Sequence, residues 1–252
     1  MSFDDLDASM RIYETARDYC VLPTIYMVAR LDGRGFTRLT KDICEFEAPF
    51  DVRFRDLMLG TTEALMNAGF RIRYGYTQSD EISLLFDRDD GTFNRKTRKL
   101  VSVLAAEASS VFSLALGQRA TFDCRISELP NLELVTEYFR WRAEDAHRNA
   151  LNAHCYWTLR HSGMSVGKAT SALEGVSVAA KNELLFAHGI NFADLPAWQR
   201  RGAGLIWETY AKAAINPKTG QSVEAQRRRL RRELELPVRD GYATWLRQVV
   251  AA

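Results

Sequence analysis

Apolar and polar positions along this chain alternate between two periods. Residues 24–31 (TIYMVARL) are a short β-branched, apolar run that stops abruptly at Asp32-Gly33-Arg34-Gly35, the pattern of a buried strand entering a tight turn. Phe50, Phe54, Leu57, Met58, Thr61, Leu65 and Met66 then recur at helical spacing, with Gly69 where a C-terminal cap belongs. Two strand-like runs, 70–76 and 81–86, flank the polar connection Thr77-Gln78-Ser79-Asp80, which predicts a hairpin. A helical pattern over 94–116 closed by Gly117, and a strand over 121–126, complete the order βαββαβ. That order predicts an α+β fold built on a ferredoxin-like sheet.

Beyond Pro130 the pattern turns helical, over 133–160, 165–173, 176–187 and 222–235, with Gly or Pro between the segments. Residues 216–220 (NPKTG) read as an exposed linker. The expectation is a sheet domain over 1–130 followed by a helical lobe over 131–252.

Composition adds exclusions. With 252 residues, 46% apolar and 26% charged, the chain can bury a sizeable core. No apolar run is read as approaching the roughly 20 residues of a membrane helix, and the start, Met1-Ser2-Phe3-Asp4-Asp5, is acidic. A cytoplasmic protein without a membrane partner is expected. Cys20, Cys44, Cys124 and Cys155 stand singly, which points to reduced thiols rather than disulfides or structural zinc. The net charge of +2 does not by itself imply a nucleic-acid partner, but basic residues cluster over 95–99 and 227–232, the latter read as an exposed basic helix.

Chemistry enters through the carboxylates. In a split βαββ sheet the first and third strands are antiparallel neighbours, so the end of one meets the start of the other and Asp32 comes beside Asp80 and Glu81. Each residue alone reads as an ordinary turn or surface acid. Together they repel, and a hard divalent cation carrying phosphate resolves the conflict. Two metals about 4 Å apart can hold the attacking and leaving oxygens of an in-line phosphoryl displacement, as on a polymerase-like palm. Gly33 lets backbone approach a metal, and the amides of Arg34, Gly35, Phe36 and Thr37 are expected to cradle a triphosphate.

The segments Val28-Ala29-Arg30-Leu31-Asp32-Gly33-Arg34-Gly35-Phe36 and Tyr74-Gly75-Tyr76-Thr77-Gln78-Ser79-Asp80-Glu81 resemble the two core motifs of the tRNA-histidine guanylyltransferase family. Phe122-Asp123-Cys124-Arg125, Trp141-Arg142-Ala143-Glu144-Asp145-Ala146-His147, Lys181-Asn182-Glu183-Leu184-Leu185-Phe186 and Arg201-Gly202-Ala203-Gly204-Leu205-Ile206-Trp207 resemble further family segments in the same order. The resemblance implies a 3′-to-5′ polymerase that adds a nucleotide, typically guanylate, to the 5′ end of tRNA. ATP or GTP first activates a 5′-monophosphate, and the 3′-hydroxyl of GTP then attacks the activated phosphate. It implies two Mg²⁺ ions at Asp32, the Gly33 carbonyl and Asp80, with Glu81 grouped among the catalytic carboxylates. Nucleotide contacts would run from Asp32 through Thr37 and include Ser79 and Asp80. Lys99, Arg125, His147, Asn152, Lys181 and Asn182 would meet RNA or phosphate, and a homotetramer is implied.

Two departures stand out against the family pattern. Ala48 occupies a position where many relatives carry a phosphate-binding lysine, and the stretch after His147 matches only part of the longer polar motif of members that recognise histidine tRNA. The second departure leans toward members that repair 5′-truncated tRNA. A palm-type nucleotide cyclase and a catalytically silent tRNA-binding protein remain open alternatives at this level. His147, His154 and His161 recur every seven residues, about 10 Å apart along a helix, too far to share one ion.

Overall fold

The chain folds in the order α1 (Phe3–Thr15), β1 (Tyr26–Gly33), α2 (Phe36–Arg38), α3 (Val52–Met66), β2 (Ile72–Gln78), β3 (Glu81–Phe86), α4 (Thr97–Leu116), β4 (Phe122–Leu129), α5 (Leu132–His161), α6 (Val166–Ser171), α7 (Val178–Ala187), α8 (Ala197–Arg201), β5 (Ala203–Ile215), β6 (Ser222–Glu233) and α9 (Arg239–Ala251) in a computed structural model that describes residues 1–215 and 220–251. The expected linker at 216–220 lies outside the described residues except for Gly220.

Neighbouring strands run antiparallel in the order β4-β1-β3-β2-β5-β6, so the first four reproduce the predicted ferredoxin-like arrangement. Met27, Ala29 and Leu31 of β1 join Ile82 and Leu84 of β3 on one face, against Met58 and Leu65 of α3 and Leu104 and Phe112 of α4. Val28, Tyr74, Tyr76 and Leu85 form the other face, against Val135 and Phe139 of α5 and Tyr242 and Leu246 of α9. Burial on both faces is why β1 and β3 read as continuous apolar runs rather than alternating ones.

Local sequence sets the helix ends. Asp51 caps α3 by accepting from the Arg53 amide at 2.7 Å, and Asn131 caps α5 by accepting from Leu134 at 2.9 Å. Gly117, at φ 72, closes α4 as expected. The start of α4 falls three residues later than residue 94, because Phe93, Asn94 and Arg95 all take left-handed backbone. By length and apolar composition α4 is a helix that could cross a membrane, contrary to the sequence reading; Leu100, Leu104, Ala108 and Phe112 instead bury it against the sheet.

The 30 residues of α5 span about 45 Å. Its first half lies on the sheet, and its second half gathers α6, α7 and Phe192 around Leu151, Cys155 and Leu159. The expected helical lobe is present in this part of the chain. The helix expected over 222–235 is not: Ser222–Glu233 is strand β6, paired from Gly204↔Glu233 to Ile215↔Ser222 with β5. Its Arg, Gln and Glu residues favour a helix locally, but the twelve-residue ladder with β5 overrides that weak preference. Arg228 and Arg229 lie over the rings of Trp207 and Tyr210, and Arg229 pairs with Glu208 at 2.8 Å. Only Ala203–Ile206 of β5 pair with β2, so the rest of the hairpin is a two-stranded arm about 30 Å long.

Candidate active site

The register between β1 and its neighbours places Asp32 opposite Glu81 of β3 on one side and opposite Asp123 of β4 on the other. Residues directly opposite in an antiparallel pair share a face, so the three carboxylates stand on the face covered by α5. The Gly33 amide donates to the Asp80 carbonyl at 3.0 Å and ties the β2–β3 turn to the end of β1. That turn is tighter than expected: Gln78 pairs with Glu81, leaving only Ser79 and Asp80 as its central residues. Ser79 sits at φ 52, a position usually given to glycine in such turns, and strain of this kind costs on the order of 1–3 kcal/mol. The Ser79 hydroxyl donates to Asp80 Oδ1 at 3.2 Å.

The two acids of the turn meet different environments. Burial pushes the Asp80 carboxyl above its ordinary range and the nearby Asp32 charge adds to this, against hydrogen bonds from its own amide and Ser79. Burial also raises Glu81, but Arg142 and Arg30 work against it. Arg142 grips Glu81 with two bonds, Nε to Oε1 at 2.7 Å and Nη2 to Oε2 at 3.1 Å. The Arg30 Nε lies 3.1 Å from Glu81 Oε2 as an ion pair without hydrogen-bond alignment, and its Nη2 is 3.4 Å from Asp32 Oδ2. Glu81, grouped in the sequence with the catalytic carboxylates, is here held by guanidinium groups.

Asp32 and Asp80, with the Gly33 carbonyl, remain as hard oxygen donors. Among the described residues no three His, Cys, Asp or Glu side chains gather as a metal cage. Two carboxylates and a carbonyl suit Mg²⁺, which keeps waters and takes phosphate oxygens from its substrate. The Asp80 carboxyl is raised mainly by burial and to a lesser degree by the Asp32 charge, and a cation between the two acids would oppose both effects.

The loop after Asp32 is shaped by packing. A Cβ on Gly33 would fall 2.6 Å from the Phe36 ring, so only glycine fits there. Phe36 is buried and meets Phe112 and Phe122 at ring separations of 5.2 and 4.9 Å, which anchors the turn and leaves only its backbone for a ligand. The Arg34 amide donates to the Thr121 carbonyl at 2.8 Å and so leaves the expected cradle. Gly35, Phe36 and Thr37 supply the remaining amides at the entry to α2.

The other sequence-predicted residues divide by position. Arg125 lies opposite Arg30 on β4, two residues from Asp123, at the same end of the sheet. His147 faces a neighbouring cleft between α5 and α8. Asn152 is exposed further along α5, and Lys181 and Asn182 sit on α7 where the Lys181 carbonyl meets Cys155. Lys99 occupies the opposite end of α4 from the carboxylates, about 20 Å along the helix from Phe112. Its neighbours serve structure: Arg95 is buried and donates to the carbonyls of Val21, Ile25, Arg88 and Asp90, while Lys96 and Arg98 both bind Asp18. His154 is buried between Phe50 and Phe192.

Sequence reasoning passed over Arg30, Asp123, Arg142 and Asp145 as individual residues. A charged residue within an apolar strand, as Arg30 is, signals a buried partner. Arg142 and Asp145, at 3.1 Å and spaced i,i+3, carry the ion network from Glu81 onward to Arg148. A cleft beside Ser79, with about 120 Å³ of space, is lined by Lys41, Ala48, Arg55, Trp157 and Trp198. Lys41 lies 5.2 Å from the Trp157 ring centre and Arg55 4.8 Å from that of Trp198, so the cleft holds two cations where Ala48 offers none.

Known proteins resemble this chain in sequence and fold. The family model described as tRNAHis guanylyltransferase matches residues 7–130, and that described as Thg1 C terminal domain matches residues 133–240. A probable tRNA(His) guanylyltransferase of Drosophila melanogaster is 32% identical over 82% of this chain and 74% of its own length. The tRNA(His) guanylyltransferase of Debaryomyces hansenii is 32% identical over 84% of this chain and 86% of its own. A bacterial tRNA(His) guanylyltransferase-like protein solved in complex with ATP superposes with a TM-score of 0.75 at 26% identity, covering 98% of this chain and all (100%) of that one. Sequence, register and fold thus agree that the chain belongs to the tRNA(His) guanylyltransferase family.

Proposed function

We propose that this protein is a Mg²⁺-dependent nucleotidyltransferase that extends the 5′ end of tRNA in the 3′-to-5′ direction, consuming GTP and ATP. The observation that carries the reading is the convergence of Asp32, Gly33 and Asp80 at one sheet end, fixed by the Gly33–Asp80 hydrogen bond at 3.0 Å. Relatives named for guanylate transfer to tRNA(His), and bacterial structures in complex with ATP and with GTP, support it.

Both steps are in-line displacements. In activation, a phosphate oxygen at the RNA 5′ end attacks the α-phosphorus of ATP or GTP, and pyrophosphate leaves. In transfer, the 3′-oxygen of GTP attacks that 5′-phosphorus, the nucleoside monophosphate leaves, and the hydroxyl proton passes to solvent. Asp32, Asp80 and the Gly33 carbonyl would hold Mg²⁺, which supplies charge neutralisation and acidifies the attacking hydroxyl. The residues themselves position. Lys41 and Arg55, held over Trp157 and Trp198, meet triphosphate in the cleft beside Ser79. Arg30 and Arg142 fix Glu81 and keep that acid from the metal position.

Residues 1–130 supply the palm carboxylates in this reading, and residues 131–252 the tRNA contacts and the surfaces of a homotetramer. Four free thiols, Cys20, Cys44, Cys124 and Cys155, support action in the cytoplasm.

The test incubates purified protein with Mg²⁺, ATP, labelled GTP and 5′-monophosphorylated tRNA, either full-length or lacking its first nucleotide. Extension of the truncated tRNA to full length identifies templated repair, and an added residue on intact histidine tRNA alone identifies identity marking. Extension of neither would refute the proposal.

A further inference from the structure

Displaced from the carboxylates toward β2, the helices α5 and α8 and the start of α9 enclose a second cleft of about 590 Å³. The cleft shares no lining residue with the Asp32, Gly33 and Asp80 site. Arg200 and Arg201 from α8, Arg239 from α9 and His147 from α5 line it.

The acids in the wall share one cation, which also pairs with Glu137, and Asp240 is fully exposed. Arg140 pairs with Glu144 at 3.1 Å and reaches Asp240 at 3.9 Å. Among the described residues, by contrast, Arg200, Arg201 and Arg239 make no ion pair. Glu235 offsets Arg201 only at a distance. The Nε atoms of Arg200 and Arg201 are buried without a hydrogen-bond partner, an unfavourable state for charged donors in a native fold. His147 registers the same surplus: burial makes it harder to protonate, and the charges of Arg200, Arg201 and Arg239 add to that effect. Unmet donors and like charges around an open cavity are relieved together by an oxyanion, with arginine forks matching phosphate geometry.

We propose that this cleft binds a phosphate group at a site separate from the Asp32–Asp80 pair, through Arg200, Arg201 and Arg239. Its phosphate comes from a nucleoside polyphosphate or from an RNA strand; that choice of sources rests on the nucleotidyltransferase reading, whereas the anion site rests on the cleft alone.

The experiment measures binding of inorganic tripolyphosphate by calorimetry in EDTA, where the metal-free carboxylates repel the probe. Saturable binding is expected, with the His147 imidazole resonance, identified by its loss in His147→Gln, becoming easier to protonate. Arg239→Ala, an exposed position whose loss opens no void, should weaken binding at least tenfold with an unchanged melting temperature. Arg200→Gln should act in the same direction, and Asp80→Asn should not weaken it. Absence of saturable binding, or wild-type affinity in Arg239→Ala, overturns the proposal. Displacement of the probe by metal-free GTP assigns a polyphosphate site, and displacement by 5′-monophosphorylated tRNA assigns an RNA site; displacement by neither also overturns it. The two readings fail separately. Phosphate binding without tRNA extension removes the enzymatic reading only, and tRNA extension without phosphate binding removes this one only.

Discussion

Replacing Glu81 with glutamine preserves shape and one acceptor oxygen while removing the charge that holds Arg142 and Arg30. The side chains of Glu81 and Arg142 are 14% and 10% exposed, so the substitution strands largely desolvated guanidinium groups. Breaking one side of a buried ion pair costs about 3–5 kcal/mol. Arg142 keeps Asp145 at 3.1 Å and Arg30 keeps Asp32 at 3.4 Å, which places the cost near the lower end, about 3 kcal/mol. For a chain of this size each kcal/mol moves the melting temperature by about 2–4 °C, giving a drop of roughly 6–12 °C. Thermal unfolding followed by circular dichroism in EDTA reads this directly. Replacing both partners, Glu81→Met with Arg142→Met, should recover part of the loss, because apolar substitutes for a buried pair are often neutral, while Arg30 and Asp145 keep only Asp32 and Arg148. A melting temperature for Glu81→Gln equal to that of the parent, combined with weaker Mn²⁺ binding, would refute the reasoning and return Glu81 to the metal site.

Asp80→Asn should abolish nucleotide addition yet raise the melting temperature of the metal-free protein. The folded carboxyl titrates above its unfolded value, so its contribution is fully present below the unfolded pKa and lost as pH rises through the folded one. The gain from asparagine should therefore appear toward neutral pH and vanish in acid, and a gain that grew in acid would contradict it. Gly33→Ala drives a methyl into the Phe36 ring, and overpacking of this kind costs about 1–3 kcal/mol; urea unfolding should show the loss, together with greatly reduced extension. Lys41→Ala should raise the KM for GTP or ATP several-fold with kcat little changed, as steady-state kinetics would show.

The sheet order was legible because its cause is local. The run ending at Asp32-Gly33 could only be a buried strand, and the Ser79-Asp80 turn between two apolar runs could only join antiparallel neighbours. Asp32 and Asp80 followed from that topology alone. The Glu81 clasp did not, because its partner Arg142 is 61 residues away and only the docking of α5 brings the two together. Strand β6 was hidden for a related reason: its arginines favour a helix in isolation, and its β-structure exists through pairing with β5. The cationic cleft was illegible too, since His147, Arg200 and Arg239 come from three different helices.

These failures share a physical origin with the function. The carboxylate site and the neighbouring cleft concentrate like charges and strained backbone, features that local sequence preferences oppose: Ser79 at φ 52, Asp80 half-buried near Asp32, and Arg200 and Arg201 with unmet Nε donors. Such features persist only where surrounding packing over-determines them. The Phe36, Phe112 and Phe122 cluster fixes the turn after Asp32 from below, and the Arg30–Glu81–Arg142 chain fixes α5 above it. The carboxylates and the cationic cleft both lie on the face of the sheet covered by α5, the first rich in acids and the second in arginines. If both proposals hold, a substrate carrying phosphate to each place would relieve both imbalances, and the binding energy would go toward aligning the 5′ end with the attacking oxygen.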